Sequence, residues 1–185
     1  HYTIAAISTG MSGGGIGIIR ISGKEAFSII EQIFRSKNPE KRISDQSSYT
    51  IHYGSIYDKE ELLDEVILLL MKGPRSYTTE DTVEIDCHGG LFVQRRILEA
   101  VLKNGARLAE PGEFTKRAFL GGRIDLAQAE AVMDLIQAKN QSALESSLSQ
   151  LKGSVSEKIK DFRKQILYET AFLESALDDP EHISL

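Results

Sequence analysis

The spacing of apolar residues changes once along this chain, near residue 124. Up to that point, short runs alternate apolar and polar residues, which is the period of a strand with one buried face. Beyond it, Leu144, Leu148, Leu151, Val155, Ile159, Phe162 and Ile166 recur every three or four residues, and no proline occurs until Pro180. That is a helical seam in want of a partner helix. A chain that switches period in this way is expected to form an α+β domain, a mixed sheet with helices, followed by long α-helices. A length of 185 residues suits one domain with an appendage.

Charge marks the same boundary. Residues 1–123 hold 16 basic and 16 acidic side chains, whereas residues 124–185 hold 6 basic and 11 acidic ones and carry the whole net charge of −5. The C-terminal part therefore lacks the positive charge that gripping a phosphate backbone requires. With no tryptophan and 7% aromatic residues, the chain has no aromatic-rich surface for stacking bases. Its single cysteine, Cys87, excludes an internal disulfide framework and a cysteine-rich zinc site, and suits a reducing, cytoplasmic compartment. No apolar run approaches the roughly 20 residues of a membrane helix, and no signal segment opens the chain.

Strands are predicted over residues 3–9, 16–21, 48–56, 65–71 and 82–87, with a weaker one at 106–109. A first helix is predicted over 24–34, opened by a capping box between Ser22 and Glu25 and striped by Ala26, Phe27, Ile29, Ile30 and Ile33. A second spans 91–103 and is ended by Asn104-Gly105, and a short third spans 112–120. Residues 36–48 read as a polar loop. Asp125 with Gln128 forms another capping box, opening two or more long helices with a break near Lys139-Asn140. Such helices must cover their apolar faces on the α/β part, on another chain, or on sequence beyond this stretch.

Several residues are candidates for chemistry. The glycines from Gly10 to Gly17 precede a strand rather than open a helix, and no Gly-Lys-Ser/Thr follows, so they read as a turn between two strands. Arg20 shares a face with Ile16 and Ile18. It is either a structural ion pair or a fork aimed at a ligand, and spacing does not separate the two. In Thr82-Val-Glu-Ile-Asp-Cys-His88, Val83, Ile85 and Cys87 point one way, and Thr82, Glu84, Asp86 and His88 the other. The simplest reading of the second set is a wet face. The alternative is that Glu84 accepts two parallel N–H bonds from a planar heterocycle. Cys87 and His88 lie on opposite faces, so the thiol reads as a small buried hydrophobe rather than an activated nucleophile. Arg123, just before the Asp125 cap, is a cation at the unfavourable end of a helix dipole, so a carboxylate or a ligand is expected to hold it.

Taken in order, four stretches resemble one family. They are Thr3-Ile-Ala-Ala-Ile, then Gly-Ile-Gly-Ile-Ile-Arg20-Ile-Ser-Gly, then Ser76-Tyr-Thr-Thr-Glu-Asp-Thr-Val-Glu84-Ile-Asp-Cys-His-Gly-Gly, and the block from Pro111-Gly-Glu-Phe-Thr-Lys-Arg through Gly-Gly-Arg123-Ile-Asp-Leu-Ala-Gln. The family is that of the bacterial and organellar tRNA-modification GTPases TrmE/MnmE, and the resemblance runs from residue 3 to about 183. Two loops depart from the family pattern. Gly10-Met-Ser-Gly-Gly stands for Pro-Gly-Arg-Gly-Gly, and Thr78-Thr79-Glu80-Asp81 for Thr-Gly-Glu-Asp.

The resemblance implies a tetrahydrofolate-binding and dimerising α/β domain over residues 1–122, similar in fold to folate-dependent aminomethyltransferases. Residues 123–185 would then be the first part of a helical domain. It implies that Arg20, Glu84 and Arg123 contact the folate, a 5-formyl- or 5,10-methylene-tetrahydrofolate, with Glu84 on the pterin's amino group and ring N–H. No catalytic residue and no metal ligand carries over. The whole protein is expected to be a cytoplasmic homodimer that acts with the FAD-dependent partner GidA (MnmG) on the wobble uridine, position 34, of tRNA, with no membrane involved. GTP, potassium and magnesium would belong to a GTPase domain, and this stretch holds neither a phosphate-loop motif nor Asn-Lys-x-Asp, so it reads as a fragment without GTPase activity. Two other readings stand beside this one: a ligand-free dimerisation and assembly module, and a hydrolase using Cys87 or His88.

Overall fold

The structure, a computed structural model, describes residues 1–10, 14–138, 141, 142, 145, 148 and 161–168. The described residues form two compact units, one from His1–Ser76 with Glu80–Ala109, the other from Tyr77–Thr79 with the described residues from Glu110 through the 161–168 stretch. The first unit is built on a seven-stranded sheet. Its strands are β1 (Ile4–Ile7), β2 (Ile16–Ser22), β3 (Phe34–Ser36), β4 (Thr50–Asp58), β5 (Glu61–Met71), β6 (Thr82–His88) and β7 (Arg107–Leu108), in the order β3-β4-β5-β6-β2-β1-β7. All neighbours are antiparallel except β1 and β7. The mixed sheet with helices agrees with the α+β expectation.

Helices α1 (Ala26–Ile33) and α2 (Leu91–Lys103) supply Ala26, Phe27, Ile29, Ile30, Ile33, Ile97, Ala100 and Val101 to one core. From the sheet come Ile19, Ile21, Val66, Leu68, Leu70, Val83, Ile85 and Cys87, the alternate residues of β2, β5 and β6. Most are fully buried, and each such aliphatic side chain contributes about 1.5–3 kcal/mol of apolar burial. Helix α2 has the predicted bounds because its i, i+3, i+4 pattern is bracketed by Gly90 and by Asn104-Gly105.

The predicted capping box at Ser22 and Glu25 is not formed. Ser22 is the last residue of β2, opposite Thr82, and its hydroxyl donates to Glu80 Oε2 at 2.8 Å. Glu25 occupies the cap without a side-chain bond, and its backbone N–H is taken by Thr3 Oγ1 at 3.1 Å. Sheet pairing thus outcompetes the local motif. Strand β3 was also not expected: Phe34 leaves the helix in an extended conformation and pairs with Ile56. Within the polar 36–48 stretch, a single 3-10 turn at Ile43–Asp45 buries Ile43.

In the second unit, α3 (Glu113–Leu120) is followed by α4 (Leu126–Gln137). The Asp125–Gln128 capping box is present in both directions, with bonds of 2.8 and 3.0 Å. Helix α4 ends at Gln137 on an extended Ala138; Lys139 and Asn140 lie outside the described residues, as does most of the 144–166 seam. Thr79 holds φ +66, a left-handed conformation that glycine adopts without strain, at the position where the family pattern has glycine. Its side chain fills the space beside Gly121, where a Cβ would meet Thr79 Oγ1 at 2.2 Å. Among the described residues no helix is long and apolar enough to cross a membrane.

Candidate functional site

The β2–β6 register sets Arg20 directly opposite Glu84. Arg20 Nε and Nη2 both donate to Glu84 Oε1, at 3.0 and 2.9 Å. The carboxylate is 2% exposed and the guanidinium 20%. Of the two sequence readings of Arg20, the ion pair is therefore formed. A buried carboxylate is tolerable only with such a partner. The pairing is lopsided, because two donors share one oxygen. Among the described residues no donor reaches Glu84 Oε2.

The face around this pair is not the wet face that the alternation suggests. Thr82, Glu84 and Asp86 are 3%, 2% and 6% exposed. Their cross-strand neighbours are largely apolar: Glu84 lies between Arg20 and Leu69, and Asp86 between Ile18 and Ile67. Alternation reports which residues share a face, and it cannot report whether that face is covered.

Cys87 points into the core, fully buried, with its thiol 3.4 Å from Gly17 O. Burial, with smaller help from the charges of Asp64 and Asp86, pushes the thiol up to about 12. It is an inert core group, which removes the thiol hydrolase reading. His88, exposed, turns away to Asp64: its Nδ1 is 2.6 Å from Oδ1, and its backbone N–H donates to Oδ2 at 2.8 Å. This pair was missed by the sequence reading, since only the folding of β5 against β6 brings residues 64 and 88 together.

The glycines of 10–17 do join two strands, β1 and β2, with residues 11–13 outside the described set. Gly89 is required by packing, because a Cβ there would lie 1.7 Å from Gly14 O. Gly17 likewise yields its space to Gln94, whose amide donates to Gly89 O and accepts from Thr9 Oγ1. This part-buried Thr9–Gln94–Gly89 chain fastens the hairpin to α2, and nothing in the polarity pattern announced it.

His52 is a further buried titratable group, 3% exposed on the core side of β4. Thr50 Oγ1 gives its one hydrogen to Ser47 O, so it accepts from His52 Nε2–H at 2.7 Å. Nδ1 is then the bare nitrogen, with no hydrogen-bond partner among the described residues. Burial, and the nearby Lys41 charge, push His52 down to about 4, so it is neutral at ordinary pH.

Arg123 belongs to the other unit. It sits half-buried on the turn between α3 and α4, after Gly122 at φ +76, and its backbone N–H donates to Ala118 O at 3.0 Å. Around that turn Ala118, Ile124 and Ala129 pack with Tyr77, and Arg117 and Glu113 pair at 3.4 Å one turn apart on α3. Among the described residues no group of three or more His, Cys, Asp or Glu is placed to hold a metal ion.

Comparison with known proteins bears on all of this chain. Residues 3–123 match the family described as GTP-binding protein TrmE N-terminus, and residues 126–184 match the MnmE helical domain. The tRNA modification GTPase MnmE of Lachnoclostridium phytofermentans is 62% identical over 183 residues, covering 99% of this chain and 40% of that protein. The proteins of the same name from Acetivibrio thermocellus and Clostridioides difficile are 56% and 52% identical, each over 97% of this chain and 39% of their own length. The chain spans about two fifths of the length of these relatives. It belongs to the TrmE/MnmE family of tRNA-modification GTPases.

Proposed function

We propose that the sheet face carrying Arg20 and Glu84 binds the pterin end of a tetrahydrofolate, a 5-formyl- or 5,10-methylene derivative. The observation that carries this reading is Glu84: a buried carboxylate with one oxygen held by Arg20 and the other without a donor among the described residues. A pterin offers an adjacent ring N–H and amino group, two donors that fit such an acceptor. Arg20 balances the charge of Glu84 and fixes its orientation. Arg123 is assigned to the same ligand on the family's pattern alone. Bound folate would supply a one-carbon unit, while the residues of this chain bind and orient it.

In the intact protein, we read residues 1–122 as the folate-binding and dimerisation domain and residues 123–185 as the first part of the helical domain. The GTPase domain, with its potassium and magnesium, would lie outside this stretch, and the stretch alone would not hydrolyse GTP. The homodimer would act in the cytoplasm with the FAD-dependent GidA (MnmG) to modify the wobble uridine, position 34, of tRNA. The names of the relatives support the tRNA-modification part of this reading.

A second reading is a ligand-free assembly module, favoured by the fact that Arg20 and Glu84 already satisfy each other in part. Calorimetric titration with 5-formyltetrahydrofolate separates the two. Glu84→Gln should weaken binding roughly tenfold to a few hundredfold, because its amide would face the ligand's own donors. Asp86→Asn should do much less. No heat with the wild type, or equal small effects from both variants, would leave the assembly reading.

A further inference from the structure

Among the described residues of the first unit, Arg20, Arg35, Arg96 and Lys103 have carboxylate partners within 4 Å. On the outer face of α2, Arg96 pairs with Glu61 at 2.7 Å and Lys103 with Asp58 at 3.0 Å. One short stretch gathers cations closely in sequence. Between residues 35 and 42, Arg35, Lys37, Lys41 and Arg42 face a single acid of that stretch, Glu40. Among the described residues no carboxylate lies within 4 Å of Lys37, Lys41 or Arg42. Arg35 meets only the 91% exposed Glu60, at 3.5 Å, a contact worth little in water. Glu31, which lines the same side and feels the Arg42 charge, spends one carboxylate oxygen on the N–H and hydroxyl of Ser44.

Two of these cations are also held in place against aromatic rings. The Arg35 guanidinium lies 3.9 Å from the centre of the Tyr57 ring, and Lys37 Nζ lies 4.7 Å from that of Tyr53. Arg35, Lys41 and Arg42 line one cleft of about 520 Å³, together with Ser36 and Asn38. Keeping β3 from pairing with another sheet edge would account for Arg35 alone, since β3 ends at Ser36 and the other three cations lie beyond it.

We propose that the 35–42 strip and its cleft contact the phosphodiester backbone of an RNA. Clustered cations that lack close ion pairs, two of them pre-positioned, suit a row of phosphates, and such contacts set the register of a nucleic acid without reading its bases. Choosing RNA over other polyanions rests on the tRNA-modification reading above.

The test is binding of fluorescently labelled tRNA to the intact protein that carries this chain, over a range of potassium chloride concentrations. Lys37→Ala, Lys41→Ala and Arg42→Ala are combined in one variant, and Arg95→Ala, Arg96→Ala and Lys103→Ala in a control that removes the same charge. The strip variant should bind roughly tenfold to a hundredfold more weakly at low salt, and its log–log salt slope should be shallower by about 2–3. The control should change little. Equal losses from both variants, unchanged binding by the strip variant, or no salt-dependent RNA binding by the wild type would each overturn the proposal. So would a strip variant that loses binding to phosphatidylserine vesicles while keeping tRNA. The folate titration is independent of this experiment, so a failed folate site with an intact strip effect, or the reverse, tells the two readings apart.

Discussion

The two faces of β6 are buried to nearly the same degree and are built from opposite chemistry. On one, Val83, Ile85 and Cys87 join the aliphatic core under α1 and α2. On the other, Thr82, Glu84 and Asp86 are at most 6% exposed, and the carboxylate of Glu84 is held by Arg20. The first face contributes stability through area and packing, which need no direction. The second keeps its charges only through specific partners, and a group whose partner can be exchanged is one that a ligand can use. Burial alone therefore does not distinguish a core from a site; what distinguishes them is whether each polar atom is already satisfied.

This contrast can be broken from the apolar side. Ile85→Ala should cost about 4 kcal/mol in urea unfolding, as transfer and cavity effects add in a packed core. A loss below about 1 kcal/mol would mean that the helix-covered face is not close-packed. Next comes the polar side. Arg20→Ala should cost about 3 kcal/mol by leaving Glu84 buried and uncompensated, and adding Glu84→Gln should recover part of it. If Arg20→Ala alone is nearly neutral, water reaches Glu84 and the face is wet after all.

A smaller effect is expected at His52, the one buried titratable side chain on the helix side of β4. Its folded value of about 4 lies below the ordinary 6.5, so the unfolded chain binds the proton first as pH falls. Stability is therefore complete above pH 6.5 and declines toward pH 4. The contribution lost by pH 5 is roughly 2 kcal/mol. His52→Gln, which keeps a donor for Thr50, should flatten that decline between pH 6.5 and 4 in thermal melts. A variant that tracks the wild type would show that His52 protonates freely in the fold. Smallest is Cys87→Ser, at about 1 kcal/mol, with folate binding preserved. Consistent with a thiol pushed up to about 12, iodoacetamide at pH 8 should label Cys87 only after unfolding; rapid labelling of the native protein would place the thiol on the wrong face.

Local patterns were legible wherever the physics is local. The stripe and stop signals of 91–103, the Asp125–Gln128 box and the two-faced alternation of 82–88 each involve neighbours within a few residues, and each is present as read. The Ser22–Glu25 box was equally legible and did not form, because β2 continued through Ser22 to pair with β6. The family, too, was readable from residue order alone. What only the tertiary structure decided is everything that depends on which strands lie side by side: Arg20 on Glu84 across 64 residues of sequence, Asp64 on His88 across 24, and the burial of a polar face that alternation marks as wet. Sequence period carries the direction of a side chain, since that is set by backbone geometry within the strand. It carries no record of its partner, since β2 and β6 meet only when the whole sheet closes.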